Sequence, residues 1–282
     1  GDLDMTNYGL PPEQFAKLQK ELPGEVYITR TLATYSYELN NKKAPFDNVN
    51  IRKALNLSLD RNVITDKVLG QGQTPTYVFT PTYIEEGHLI QQPAYSKEPM
   101  AQRNEEAIKL LEEAGYNKAN PLKFTILYNT NENHKKVAIA AASMWKANTK
   151  GLIDVKLENQ EWKTYIDSRR AGRYDAARAG WNADYNQATT FGNYFLSNSS
   201  NNTAKYANPE YDKAIAESYV ATDAEGRAKA YAKAEEILAK DFGIVPIFNY
   251  VNPRLVKPYV KGYSGKDPQD HIYLRNLYII KH

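Results

Sequence analysis

The sequence has 282 residues, 42% of them hydrophobic and 24% charged, which is enough apolar material for one large core or two modest ones. Its formal charge of +3 is spread along the chain, against the concentrated basic face of a nucleic-acid binder. With no cysteine, thiol catalysis, cysteine-ligated zinc and disulfides are excluded, and no apolar run approaches the roughly 20 residues needed to span a bilayer. Tyrosine is over-used, at 22 against 8 phenylalanines. Its flat ring and hydroxyl suit a wet binding surface as well as a partly solvated core. The opening Gly1-Asp2-Leu3-Asp4-Met5 has no initiator methionine and no leader, and reads as a processed or partial chain.

In chain order, residues 3–5 read as a short strand. A helix starts at Pro11-Pro12, carries Phe15, Leu18 and Leu22 on one face, and stops at Pro23-Gly24. Residues 26–28 and 31–39 read as two strands rich in β-branched and aromatic residues, followed by a turn at 40–43. Asp47 is placed to cap a helix bearing Ile51, Ala54, Leu55 and Leu57, and Asp60 a second bearing Val63, Ile64 and Val68. Residues 70–100, punctuated by Gly70, Gly72, Pro75 and Pro81, read as a long loop. From there strands are expected at 122–128, 153–157, 174–179 and 244–250. Helices are expected at 103–114, closed by Gly115, and at 133–146, 162–170, 211–220 and 225–240. That alternation predicts an α/β fold with a parallel or mixed sheet covered by helices.

Signatures of catalysis are missing: there is no G-x-S-x-G, no glycine-rich phosphate loop and no H-E-x-x-H. His88, His134, His271 and His282 have no second ligand at helical spacing, so no metal site is expected. Paired acids such as Glu105-Glu106, Glu112-Glu113 and Glu235-Glu236 read as solvated helix faces. The stretch Arg178-Ala179-Gly180-Trp181-Asn182-Ala183-Asp184-Tyr185-Asn186 is more specific. It follows a strand, where open α/β sheets place ligands. It combines a glycine that admits a close backbone, an aromatic plate and a carboxylate. The structural alternative is a strand end with a turn-forming Asp and a packing Trp.

This stretch resembles the periplasmic oligopeptide-binding proteins of bacterial ABC importers, the OppA-type solute-binding family. Asn159-Gln160-Glu161-Trp162-Lys163-Thr164, Leu196-Ser197-Asn198-Ser199-Ser200 and Arg254-Leu255-Val256-Lys257-Pro258 resemble the family's corresponding segments. So do Gly262-Tyr263-Ser264-Gly265-Lys266-Asp267-Pro268 and Tyr278-Ile279-Ile280-Lys281-His282. The likeness runs along the whole chain and covers the C-terminal half or so of a full-length member. It implies a periplasmic-binding-protein-like fold of class II, the peptide- and nickel-binding type. On that basis residues 36–250 form an α/β lobe with a mixed sheet and flanking helices. Residues 1–35 and 251–282 are then segments of the other lobe.

The resemblance further implies capture of short oligopeptides, largely independent of their sequence, by lobes that close over an extended chain. It implies delivery to an inner-membrane ABC permease from the periplasm, the signal peptide lying outside this sequence. No reaction, cofactor, metal or nucleic acid is implied. Asp184 matches the acid that pairs with the peptide's α-ammonium group, where a capped peptide would leave the carboxylate unpaired. Gly180 and Asn182 match positions offering backbone hydrogen bonds, as in strand addition. Trp181 and Tyr250 match pocket walls. Arg178, Arg169 and His134 match positions that neutralise the peptide's C-terminal carboxylate at different lengths. Some relatives carry cysteines near Ala33 and at Asn182, absent here, so that corner is expected to be looser with the fold kept. Murein-peptide or dipeptide binding, a peptide-binding chaperone or sensor, and a hydrolase with an unrecognised acid pair are the alternatives. A missing lobe would leave a tyrosine-rich cleft face open, so self-association is expected.

Overall fold

A computed structural model describes residues 2–7 and 9–281; Gly1, Tyr8 and His282, and with them the ends of the first and last expected segments, lie outside the described residues. The helices are α1 (Pro12–Glu21), α2 (Val49–Leu57), α3 (Met100–Glu113), α4 (Glu132–Asn148), α5 (Trp162–Arg170), the short α6 (Thr189–Gly192), α7 (Pro209–Val220) and α8 (Ala224–Lys240). The strands are β1 (Val26–Leu39), β2 (Thr74–Pro75), β3 (Leu122–Asn129), β4 (Ile153–Gln160), β5 (Ala176–Asn182), β6 (Ile244–Leu255), β7 (Val260–Lys261) and β8 (Tyr278–Ile279).

Six strands form one mixed sheet in the order β2-β6-β1-β5-β3-β4, and β7 pairs with β8. β3 runs parallel to β4 and β5, joined through α4 and α5, the long crossovers that parallel pairing requires. β1 is antiparallel to both β5 and β6. The two strands expected at 26–28 and 31–39 are one, because Thr29 and Arg30 continue the extended chain between them. β6 likewise runs five residues past Tyr250, so both long strands cross the boundaries at 35/36 and 250/251 without interruption.

Caps fix the helix starts. Asn48, rather than Asp47, caps α2 by accepting the Asn50 amide. Asp60 accepts the amides of Asn62 and Val63, and the following segment Val63–Leu69 winds as a π-helix. The wider turn puts Ile64 and Leu69, five residues apart, into the same core. α3 begins at Met100, behind Pro99, three residues before the expected start.

Period-two alternation divides the interior. Tyr35, Tyr37 and Leu39 of β1 face a core built with α2, α3 and α4, while Leu32 joins a second core with α6, α7 and α8. A bulge between Tyr35 and Ser36 gives β6 one extra residue, since Tyr35 pairs with Phe248 and Ser36 with Pro246. Beyond the bulge Phe248 and Tyr250 therefore point to the Tyr35 face. A second irregularity, between Arg30 and Thr34, sets β1 residues 31–33 against the single β6 residue Tyr250.

Residues 70–100 hold only β2 and a 3₁₀ turn, Ala94–Lys97, yet much of this loop is buried. Side chains satisfy parts of its backbone: Arg61 donates to the Thr76 carbonyl, bridging it to the Pro246 carbonyl of β6, and Glu235 accepts the Phe79 and Thr80 amides and the Thr80 hydroxyl. Glu235 is thus no solvated face residue, and its burial pushes its pKa above the usual carboxylate range.

Candidate functional site: an uncovered strand edge beside an arginine

β5 is the strand that positions the site. Its pairing with β3 stops at Ala177, so among the described residues no strand covers the outer edge from Arg178 to Asn182. Ala183 donates its amide inward to Leu32, which turns odd-numbered backbone groups toward β1. Arg178, Gly180 and Asn182 therefore turn their N–H and C=O groups outward. The Tyr165 hydroxyl, donating to the Arg178 carbonyl from that side, marks the direction. A cavity of about 580 Å³ opens along this edge, lined among others by Arg178, Gly180, Asn182, Tyr250, His134 and Gln269. A second of about 240 Å³ shares His134 and Tyr250. A larger groove of about 920 Å³, walled by Tyr95 and Phe242 beside α8, holds none of the residues that the resemblance assigns to peptide binding.

Arg178 is half-buried and, among the described residues, has no carboxylate partner. Its Nη2 donates to the Tyr250 hydroxyl at 2.5 Å, Nη1 reaches Asn129 Oδ1 at 3.5 Å, and the guanidinium lies 5.1 Å over the Tyr35 ring. Burial acts to lower its pKa, but the surrounding tyrosine oxygens, Tyr250 first, more than offset this and hold it above the usual arginine value. Gly180 leaves the space this geometry uses, since a Cβ there would stand 3.0 Å from Arg178 Nη2 and 3.4 Å from the Tyr250 hydroxyl. His134 lies in the first turn of α4, whose cap Asn131 accepts the His134 amide, and its ring sits 5.5 Å from that of Tyr35. Burial, and then the Arg178 charge, lower its pKa to about 3. At neutral pH the imidazole is uncharged and available as a hydrogen-bonding group.

Trp181 and Asp184 occupy the other side and the end of the strand. Trp181 packs edge-on against Tyr194 at 4.9 Å and donates Nε1–H to Thr190 Oγ1 at 3.2 Å. Asp184 is exposed; its carbonyl accepts from Gln269 Nε2 at 3.2 Å, which places it at the cavity's rim. Asn182 is exposed directly opposite Ala33, the register partner that the resemblance associates with a cysteine pair.

Arg169 is not brought to the cavity. Its Nη2 donates to Glu38 Oε2 at 2.8 Å, Thr203 Oγ1 at 3.0 Å and the Tyr194 hydroxyl at 3.1 Å. Glu38 is fully buried and also accepts from Tyr194 and Thr203. A buried Glu38 requires a compensating cation, and Arg169 supplies it. Sequence reading missed Glu38, Tyr35, Tyr165, Gln269 and Thr190. They belong to segments distant from the motif or are common residue types, and nothing in their local spacing marks them.

The fold is thus a mixed sheet with an open cavity along the uncovered edge of β5. The model described as "Bacterial extracellular solute-binding proteins, family 5 Middle" matches residues 1–203, and the chain belongs to this family. It is 96% identical over 282 residues to the periplasmic oligopeptide-binding protein OppA of Haemophilus influenzae, covering all of this chain and 52% of that protein. It is 44% identical to the periplasmic murein peptide-binding protein MppA of Escherichia coli, again over all of this chain and 52% of the relative. The solved complex of Haemophilus influenzae OppA with RPPGFSPFR superposes with a TM-score of 0.92 at 95% identity, covering 100% of this chain and 55% of the other. The chain spans about half the length of the curated relatives it matches.

Proposed function

We propose that this chain forms one wall of a periplasmic clamp for short oligopeptides, which binds them without turnover and hands them to an ABC permease in the inner membrane. The observation that carries this reading is the uncovered β5 edge ending beside an arginine with no carboxylate partner. An extended peptide adding to Gly180 and Asn182 uses atoms common to all peptides, so its side chains are left to roomy pockets. Arg178 suits the terminal carboxylate, with neutral His134 as a hydrogen-bond partner, and Asp184 at the opposite end of the edge suits the α-ammonium group. Trp181 and Tyr250 contribute the aromatic surfaces. Arg169 acts through Tyr194, which packs on Trp181, and does not touch the peptide.

In this reading residues 36–250 are one lobe, and 1–35 with 251–282 belong to another completed by the rest of a full-length protein. Supporting it, the two outer segments pair with each other, as in Thr6 to Leu255, Leu10 to Pro253 and Lys257 to Asp4. The exposed apolar residues Leu274, Tyr278 and Ile279 are then covered in the complete protein, and the isolated chain self-associates through such surface.

The test is calorimetric titration of a full-length protein containing this chain with peptides of two to five residues, in free, N-acetylated and C-amidated forms. Free peptides are expected to bind and be recovered intact, with both capped forms weaker. Equal binding of all three forms would overturn the end-recognition reading, and cleavage of the pool would overturn the non-catalytic one.

A further inference from the structure

Thr190 lies in the four-residue α6 and is 4% exposed. A threonine hydroxyl has one donor and two acceptor positions. Here all three are used. The hydroxyl accepts Trp181 Nε1–H at 3.2 Å and the Asp184 amide at 3.3 Å, and donates to Asp184 Oδ2 at 3.4 Å. These contacts are at the long end of the hydrogen-bonding range. One oxygen thereby ties the aromatic residue and the acid of the same loop to a buried point.

The remainder of the loop is fixed independently. Ala183 N–H donates to Leu32, Ala188 N–H to Glu85, and the Asp184 carbonyl accepts from Gln269. The backbone would hold its course without Thr190. What Thr190 alone supplies is the direction of the Asp184 carboxylate: with Oδ2 engaged by the hydroxyl, Oδ1 remains for a ligand.

We infer that Thr190 is a positioning residue for ammonium recognition, its hydroxyl aiming the Asp184 carboxylate at the peptide N-terminus while holding the Trp181 indole beside it. This rests on the reading that Asp184 receives the α-ammonium group. Thr190 does not touch the peptide; it sets how strongly a free N-terminus is preferred over a capped one.

The experiment titrates a free tripeptide and its N-acetyl form into wild-type, Thr190→Ser and Thr190→Val full-length proteins, with thermal unfolding of each. Valine keeps the β-branched shape, so the buried site stays filled. The free peptide should weaken about tenfold in the valine variant, the size expected for a lost hydrogen bond to a charged group, while the acetylated peptide changes little. The serine variant should restore the wild-type ratio of the two affinities. A merely structural role would instead weaken both peptides together. If Thr190→Val keeps the wild-type ratio while the wild type prefers the free form, the positioning role is overturned and the Asp184 reading stands. If the wild type itself shows no preference, both are overturned.

Discussion

Two arginines nine positions apart on neighbouring elements have opposite fates. Arg169, at the end of α5, is buried, and its Nη2 is held by Glu38, Tyr194 and Thr203. Arg178, in β5, is half-buried among Tyr35, Tyr250 and Asn129 and has no carboxylate partner among the described residues. A cation with its counter-ion inside the fold stabilises that arrangement against alternatives, whereas a cation held only by ring faces and hydroxyls retains an unmet demand for an anion. The difference separates scaffold from site more sharply than charge or exposure taken alone.

The comparison breaks most visibly at Glu38. Glu38→Gln leaves Arg169 buried without its anion and should cost about 3–5 kcal/mol in urea unfolding. An unchanged midpoint would mean that Arg169 is not held by this pair. Arg178→Met should shift stability by less than about 1 kcal/mol, since no internal ion pair is lost. It should nevertheless weaken free-acid peptides by about 2 kcal/mol or more and abolish their advantage over C-amides, as read by calorimetry. If both arginine sites behaved alike, the proposed division would fall.

Smaller effects sharpen it. Gly180→Ala places a Cβ 3.0 Å from Arg178 Nη2, the movable end of a long side chain. The fold should absorb this, while peptide affinity drops several-fold, by about 1 kcal/mol, because the guanidinium is displaced from Tyr250. His134 gives the mildest signature. Its folded-state pKa of about 3 lies below the ordinary 6.5, so between these values the unfolded chain binds the proton and the folded chain does not. The stability conferred by the neutral ring is whole above pH 6.5 and is lost as pH falls toward 3. Thermal melts of His134→Gln should show a flatter acid slope than wild type over that window, and identical slopes would contradict the neutral assignment.

Much of the scaffold was legible. The β-branched runs mark β1, read as two pieces, and β6, the alternation from residue 103 predicts a parallel or mixed sheet, and Asp60 caps as the sequence suggests. Misreadings came from partners far along the chain. Glu235 looked solvated because the amides it accepts, at Phe79 and Thr80, are more than 150 residues away. The pairing of Arg169 with Glu38 is equally invisible locally, since the two lie 131 residues apart. The bulge that turns Tyr250 toward Arg178 has no glycine to announce it.

Local sequence thus determined the elements and the motif at the end of β5, since periodicity, caps and a glycine beside a large aromatic act over a few residues. Only the tertiary structure decided which charges are answered inside the molecule and which are left for a ligand. Compensation of a buried charge depends on distance in space, and the groups that provide it arrive from segments that share no pattern with it.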